Sequence, residues 1–350
     1  MSLFDNILKD SESLFLDPIA LDYDYQPKLV PYRESHQHFM ASCIAPLFQD
    51  RNGKNLFIFG SPGIGKTVST KHVLNELYQK TDDIIPIYIN CWKKDTPHKI
   101  VLEICEKLNY KFIHNKDTSE LLKEISKILN KKSAVIILDE IDKLLDKSIL
   151  YFLIEEIYKK SIFLITNNKD YLTSLDQRIR SRLLPLTLEF KPYTQQETIG
   201  ILKQRAEHAF VPNVLKKEAL EIISAKTYSL KDIRTGLFLL KEAAETAESQ
   251  SSKIITEQHA SLALEKIRNI KIKNSAELED ENRDLYHLIK QNPGKTTKDL
   301  YEIYKIGRNK SYRTLLRKIK VLKEKDWISI EEIDVGEKPQ FIINPKKDIL

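Results

Sequence analysis

Gly60-Ser61-Pro62-Gly63-Ile64-Gly65-Lys66-Thr67 is the stretch that decides the fold of this 350-residue chain. It satisfies G-x-x-x-x-G-K-[ST] in full, follows a short apolar run at Asn55–Phe59 and opens a helical pattern over Thr67–Gln79. Glycines let backbone N–H groups turn inward around phosphate oxygens, and the start of the following helix adds partial positive charge. In that arrangement Lys66 reaches the β- and γ-phosphates and the Thr67 hydroxyl ligates Mg²⁺. The expected nucleotide contacts are Ser61, Pro62, Gly63, Ile64, Gly65, Lys66, Thr67 and Val68.

Outward from this loop, short β-rich runs alternate with helical patterns. The further runs are Pro86–Asn90, Ala134–Leu138, Ile162–Thr166 and Leu184–Phe190. Strands alternating with helices predict a mostly parallel sheet covered on both faces. Pro192 breaks the alternation, and from Thr194 to about Ile270 only helical periodicity remains. Asn274 to Asp280 is polar and acidic and reads as a linker, after which three helical patterns lead into a hairpin signal.

A second chemical element lies at Ala134-Val135-Ile136-Ile137-Leu138-Asp139-Glu140. The continuous apolar run suits a central parallel strand, and ligands of such sheets bind beyond the strands' carboxyl ends. Asp139 is therefore expected beside the phosphate loop, holding Mg²⁺ through water, with Glu140 polarising the attacking water. Two acids after a strand would by themselves read as a helix start, so it is their pairing with the glycine loop that makes them catalytic candidates. A further strand ends at Asn167, which either orients water near the γ-phosphate or simply opens the loop.

Composition adds exclusions. An apolar fraction of 41% with 30% charged residues is that of an ordinary globular chain long enough for two or three domains. Cys43, Cys91 and Cys105 have no paired spacing, which predicts neither a disulfide framework nor a zinc site. With no membrane-length apolar run and no signal-peptide pattern, the expectation is a cytoplasmic protein with no membrane partner.

With its motifs in this order the chain resembles the AAA+ superfamily and, more narrowly, the archaeal origin-recognition and helicase-loader initiators. The narrower resemblance rests on Pro31-Tyr32-Arg33-Glu34, with Tyr in place of the family's His, and on Tyr88-Ile89-Asn90-Cys91 followed by Thr96-Pro97-His98. It extends through Leu138-Asp139-Glu140-Ile141-Asp142, Ile165-Thr166-Asn167-Asn168, Leu175–Leu183, Lys191-Pro192-Tyr193-Thr194 and Arg205–Phe210. The resemblance implies an α/β fold: an AAA+ P-loop parallel sheet at 1–190, a helical lid at 191–273 and a C-terminal winged-helix domain at 274–350. It also implies ATP/ADP and Mg²⁺ as ligands, nucleotide contacts at Tyr32, Arg33, Tyr193 and Arg205, and catalytic roles for Lys66, Asp139, Glu140 and Asn167. Arg182 becomes the arginine finger offered to a neighbouring subunit, with Arg178 and Arg180 as further candidates, and Arg234 the lid sensor of the γ-phosphate. Around Arg234 the chain reads Ser229–Gly236 where the family has a G-D-A-R-R-A type sequence, so the arginine stands in an altered frame.

The positive charge is concentrated near the C-terminal end. Between Lys290 and Lys325 twelve Lys/Arg face three acids, a surplus of nine in a chain whose total is +6. Thr296–Tyr304, a turn at Lys305-Ile306-Gly307, and Arg308–Lys323 read as helix, turn, helix. Tyr312, Leu315, Leu316, Ile319 and Leu322 form an apolar stripe, and Lys310, Arg313, Arg317 and Lys320 a cationic one roughly 140° away. Such a helix packs with one face and offers cations on another, as duplex DNA recognition requires. Arg308 and, on the hairpin, Lys338 complete the expected DNA contacts, although Glu331, Glu332, Asp334 and Glu337 surround Lys338. From the resemblance, the insertion Thr96–Asn115, with Lys99, Lys107 and Lys111, also touches DNA.

The reading that follows is an ATPase with slow, switch-like hydrolysis that binds duplex origin DNA and recruits or loads a replicative helicase. Other initiator subunits, or self-association through Arg182, complete its partners. Two classes stay open beside it: a clamp-loader or remodelling ATPase whose basic last domain docks protein, and a plasmid or viral nucleotide-sensing DNA-binding regulator.

Overall fold

The run Ser133–Asp139 is buried at every position, as a strand covered on both faces must be. In the computed structural model, which describes residues 13–276, 280–305, 311–324, 327–333 and 340–345, this run is the third strand of a five-stranded sheet. The strands are β1 (Leu56–Phe59), β2 (Ile84–Asn90), β3 (Ser133–Asp139), β4 (Lys160–Thr166) and β5 (Leu186–Glu189). Their order is β2-β3-β4-β1-β5 and every pairing is parallel. The parallel sheet expected from the alternating pattern is present, with strand ends moved by two residues or fewer.

Six helices accompany the sheet: α1 (Glu34–Ile44), α2 (Lys66–Lys80), α3 (Pro97–Lys107), α4 (Thr118–Leu129), α5 (Ser148–Glu156) and α6 (Gln177–Leu183). Alternation along β3 divides the core. Ala134, Ile136 and Leu138 join Ile100 and Ile104 of α3, Leu121 and Ile125 of α4 and Leu153 of α5. Val135 and Ile137 face the other way, onto Met40 and Cys43 of α1 and Val73, Leu74 and Leu77 of α2. Helix starts are locally encoded: Thr96 caps α3, with Pro97 in its first turn, and Asp117 with Glu120 forms a capping box on α4.

Beyond the sheet come α7 (Gln195–Ala209), α8 (Lys217–Leu230), α9 (Ile233–Ser249) and α10 (Glu257–Ala276). Thr194 and Glu197 make the capping box that starts α7. The N-terminal stretch runs back along this helix, with Leu16 N donating to Ala209 O at 2.8 Å and a bridge between Phe15 and Phe210. Asn274 to Ala276, expected as linker, are instead the last turn of α10. Asn and Ser cost a helix at most about 0.7 kcal/mol each, which the turns already made can absorb. Residues 277–279 lie outside those described, and Asp280 already opens the next helix.

The chain divides into two compact units, Met1–Ala260 and Ser261–Leu350. In the second, α11 (Asp280–Gln291), α12 (Thr297–Tyr304) and α13 (Tyr312–Glu324) accompany a three-stranded antiparallel sheet. Its strands β6 (Lys295–Thr296), β7 (Ile328–Ile333) and β8 (Gln340–Pro345) lie in the order β6-β8-β7. The expected hairpin is β7 with β8; β6 is an addition too short to show in the sequence pattern. Leu285, Ile289, Leu300, Leu315, Ile319, Leu322, Trp327 and Ile343 form the core of this unit. Leu316, expected to face inward, is 40% exposed instead. It follows Leu315 by about 100° around the helix and so turns off the packed face. Lys318 takes the buried place, its ammonium 5.9 Å from the Tyr304 ring centroid. All three cysteines are buried and free, and among the described residues no helix is long and apolar enough to cross a membrane.

Candidate nucleotide site

The loop between β1 and α2 turns through two left-handed glycines, Gly63 at φ 70° and Gly65 at φ 91°. Both also sit under other groups: a Cβ on Gly65 would stand 2.6 Å from the Tyr193 hydroxyl, and one on Gly63 would collide with the Asp232 carboxylate. Lys66 curls back over the loop, donating to Gly60 O at 2.6 Å, Ser61 O at 2.7 Å and Asn167 Oδ1 at 2.8 Å. The last bond ties the end of β4 to the loop and places Asn167 in the site. Lys66 is only 7% exposed, and this burial pulls its ammonium down to about 8, against the opposing pull of Asp139.

Parallel register sets β3 beside this loop and carries its two acids there. Asp139 Oδ2 accepts from Thr67 Oγ1 at 2.6 Å and from the Tyr88 hydroxyl at 2.7 Å. Oδ1 accepts from the Glu140 backbone N–H at 2.9 Å. Burial, then the Asp139 charge, pushes the Tyr88 phenol up, so it remains a donor to the carboxylate. Glu140 adopts φ 55°, ψ 44° at the turn out of β3. Its carboxyl is raised above the ordinary range, first by burial and then by Asp139 and Asp142. Among the described residues no cluster of three or more His, Cys, Asp or Glu could hold a metal. The donor set instead fits a hard cation that brings other ligands with it: one hydroxyl and one carboxylate, both oxygen, at the mouth of a phosphate cradle.

From the helical part of the same unit, Arg234 enters at the start of α9, paired through two bonds of 3.0 and 2.8 Å with Asp232. A cavity of about 430 Å³ joins these groups. Pro62, Gly63, Gly65, Lys66, Thr67 and Val68 line one part, Asp139, Glu140 and Asn167 another, and Tyr193, Arg205 and Arg234 the side away from the sheet. That size suits one nucleotide-sized ligand.

Comparison with known proteins is consistent with this geometry. Residues 49–170 match the model of the AAA domain, and residues 199–265 that of the Cdc6 AAA+ ATPase-type lid domain. The ORC1-type DNA replication protein 1 of Sulfurisphaera tokodaii is 34% identical over 307 residues, spanning 83% of this chain and 73% of that protein. This chain belongs to the ORC1-type DNA replication protein family. The ORC1-type DNA replication protein 2 of Methanothermobacter thermautotrophicus is 28% identical over 332 residues, 91% of this chain and 88% of that one. The structure of the Aeropyrum pernix ORC1 protein in complex with DNA superposes with a TM-score of 0.73 at 25% identity, covering 96% of this chain and 95% of that one. Membership makes this chain one of the AAA+ ATPases, a nucleotide-binding family.

The remaining expected residues of this ORC1-type chain divide into those at the cavity and those away from it. Ser61 contributes its carbonyl to Lys66 and does not line the cavity, while the Ile64 side chain is buried in the core. Arg33 is 4% exposed and supports the loop from behind. Its Nε and Nη2 donate to Ile64 O at 3.2 and 3.0 Å, Nη2 donates also to Lys191 O at 2.7 Å, and its guanidinium lies 3.9 Å from the Tyr193 ring centroid. Tyr32 is half-exposed, its hydroxyl pressed against Gly200 of α7. Arg205 lines the cavity with its guanidinium 4.6 Å from the Tyr25 ring centroid and its buried Nε without a partner.

Arg182 lies elsewhere on the unit. It is exposed on α6, donates to the Tyr151 hydroxyl at 3.1 Å and pairs with Glu155. Arg178 and Arg180 are exposed on the same helix. In the insertion, Lys99 pairs with Asp95 at 2.7 Å and Lys107 with Glu103 at 3.8 Å. In the second unit Arg313, Arg317 and Lys320 are exposed along α13, where with Ser311, Thr314 and Leu316 they border a shallow groove. Arg308, Lys310 and Lys338 lie outside the described residues.

Sequence reading missed Tyr88 as a partner of Asp139, since a tyrosine in a strand carries no signal beyond its β preference. It also missed the stretch Tyr23–Val30, most of which lines the cavity, with Gln26 Nε2 donating to Val68 O at 2.9 Å. That segment has no periodicity from which its place could be read.

Proposed function

We propose that this chain is an ATP-switched replication initiator: it binds ATP with Mg²⁺, hydrolyses it slowly, and in the ATP state grips duplex origin DNA and recruits or loads a replicative helicase. The observation that carries the reading is the shared cavity. Lys66, Thr67, Asp139, Glu140 and Asn167 from the sheet side and Arg234 from the lid all border it, so a triphosphate would be held from both sides and a diphosphate from fewer. The working division is a nucleotide core at 1–190, a lid at 191–273 and a winged-helix domain at 274–350.

In hydrolysis the backbone of the Gly63–Gly65 turn cradles phosphate oxygens, and Lys66 exchanges its three protein acceptors for them. Thr67 and Asp139 would hold Mg²⁺, which would supply positive charge against the phosphates. Glu140 orients and polarises the attacking water, with its carboxylate accepting the proton, and Asn167 fixes the side of the site where water enters. Arg234 stabilises charge on the departing phosphate. Such an enzyme's output is a conformational state, so slow turnover serves it.

DNA binding is supported by the exposed cations of α13, by the helix-rich unit with a small antiparallel sheet that carries them, and by the DNA-bound Aeropyrum pernix relative. The exposed position of Arg182 supports contact with another initiator subunit or a second copy. Mapping the DNA bound by the protein in its host tests the reading: peaks are expected at replication origins. Occupancy confined to promoters would make it a regulator instead, and no occupancy would remove the DNA role.

A further inference from the structure

Arg234 belongs to the first turn of α9, and the direction of its side chain is fixed by Asp232. Oδ1 of Asp232 accepts from the Arg234 backbone N–H at 3.0 Å, which caps the helix, and from Arg234 Nε at 3.0 Å; Oδ2 accepts from Nη2 at 2.8 Å. A bidentate carboxylate–guanidinium pair locks the plane of an otherwise flexible arginine. Of the five N–H donors of the guanidinium, two are spent on this clamp; the two on Nη1 and the second on Nη2 are not taken by Asp232.

The same carboxylate touches the phosphate loop. It lies where a side chain on Gly63 would have to go, and the next residue, Ile233, donates its backbone N–H to Gly63 O at 3.1 Å. Lid and loop therefore meet here, and the residue at this contact also aims the lid arginine. A shift of Gly63 would press on Asp232, whose carboxylate also holds Arg234. The altered frame around Arg234 thus keeps the one neighbour that the geometry uses.

We propose that Asp232 is a positioning residue that aims Arg234 at the terminal phosphate and couples the phosphate loop to the lid, and so sets the preference for triphosphate over diphosphate. This rests on the nucleotide-site reading above. Neither Asp232 nor the coupling involves a group that reacts.

The test measures equilibrium binding of fluorescent ATP and ADP analogues, with Mg²⁺, to the full-length protein and to Asp232→Asn, Asp232→Ala and Arg234→Ala. Asparagine caps a helix as well as aspartate does, so Asp232→Asn retains the cap and loses only the charged clamp. The ratio of ATP to ADP affinity is expected to fall about tenfold in Asp232→Asn, mainly through weaker ATP binding. Arg234→Ala should lower the ratio similarly, and the Asp232→Asn/Arg234→Ala double variant should fall no further, because the two residues act as one unit. A wild-type ratio in Asp232→Asn, with a loss of stability only in Asp232→Ala, would show that Asp232 merely caps α9 and would overturn the proposal alone. Failure of the unsubstituted protein to bind either analogue would overturn the nucleotide-site reading and this proposal with it.

Discussion

The Thr67 hydroxyl donates to Asp139 Oδ2 across 2.6 Å, and the Tyr88 hydroxyl donates to the same oxygen across 2.7 Å. One carboxylate oxygen thus holds two donors, one from the phosphate loop and one from the neighbouring strand. A cation brought in by nucleotide would turn the Thr67 oxygen from donor to ligand, leaving Tyr88 to orient Asp139. Asp139→Asn is expected to abolish the dependence of ATP affinity on Mg²⁺. Tyr88→Phe, which keeps the ring but frees the carboxylate, should raise the Mg²⁺ concentration needed by about tenfold. Magnesium titration of fluorescent-ATP binding measures both, and an unshifted Tyr88→Phe curve would leave that tyrosine a packing residue.

Lys66 carries its proton less firmly than an exposed lysine, with its ammonium pulled down to about 8 chiefly by burial. The unfolded chain would bind this proton up to about pH 10.4, so between the two values unfolded protein holds more protons than folded. The side chain's contribution to the stability of the free protein therefore improves as pH rises from about 8 towards 10. Polyphosphate reverses the balance by favouring the ammonium. At pH 8.5 ATP binding is expected to take up about three-quarters of a proton, measured by calorimetry in buffers of different ionisation enthalpy. Lys66→Met should lose most of this uptake along with most of the affinity, and a wild-type uptake in that variant would assign the proton elsewhere.

In the proposed mechanism Glu140 is the base, and its carboxyl is raised by burial and by the flanking Asp139 and Asp142. Only the deprotonated form accepts a proton, so turnover should fall as pH drops through a value above the ordinary glutamate range. Glu140→Gln should bind ATP normally and lose about 100-fold or more in turnover, with no such acid limb in what remains. Single-turnover hydrolysis against pH checks both. Unchanged turnover in Glu140→Gln removes this residue from the chemistry.

Those residues were legible because their positions follow from chain-local rules. A glycine loop between strand and helix, and two acids at the end of a fully apolar strand, need no tertiary information. Tyr88 and Asp232 act through contacts between segments distant in sequence. Their neighbours advertise nothing: Tyr88 lies in a run that reads as a strand and is one, and Asp232 is one polar residue in the altered frame before Arg234. On α13 the five-residue apolar stripe was one residue too wide. Helical period alone could not decide between Leu316 and the stem of Lys318, and the surface offered by Tyr304 did. The stretch Tyr23–Val30 is illegible for a different reason: its backbone is irregular, so no periodicity marks its place on the cavity wall.

Arg182 is held in its own subunit by Glu155 and the Tyr151 hydroxyl on α5, both at the surface. An exposed pair of this kind contributes little to folding, so Arg182→Ala should leave the melting temperature almost unchanged. If the arginine serves a neighbour's nucleotide, the variant loses hydrolysis, and mixing it with Lys66→Ala restores part of it. The latter cannot bind ATP productively but still presents Arg182. Hydrolysis by the mixture, compared with each variant alone at the same total concentration, decides the matter. No recovery would mean that each chain hydrolyses by itself.

Arg313 and Arg317 lie one turn apart on the exposed side of α13, while Leu315, Ile319 and Leu322 anchor its other side. Removing the two guanidiniums leaves that core intact, so Arg313→Ala/Arg317→Ala should unfold at the wild-type temperature. Taking one cation away from a DNA phosphate lowers the slope of log affinity against log salt by about one. The double variant is therefore expected to bind duplex DNA more weakly, with a slope shallower by about two if both arginines meet phosphates. If one reads a base edge instead, the slope changes by about one and discrimination between sequences relaxes, because base edges carry specificity and phosphates carry grip. Titrations of an origin duplex and a scrambled duplex at several salt concentrations separate these outcomes. Equal binding by variant and wild type at every salt would place the DNA surface away from this helix and leave its cations to a protein partner.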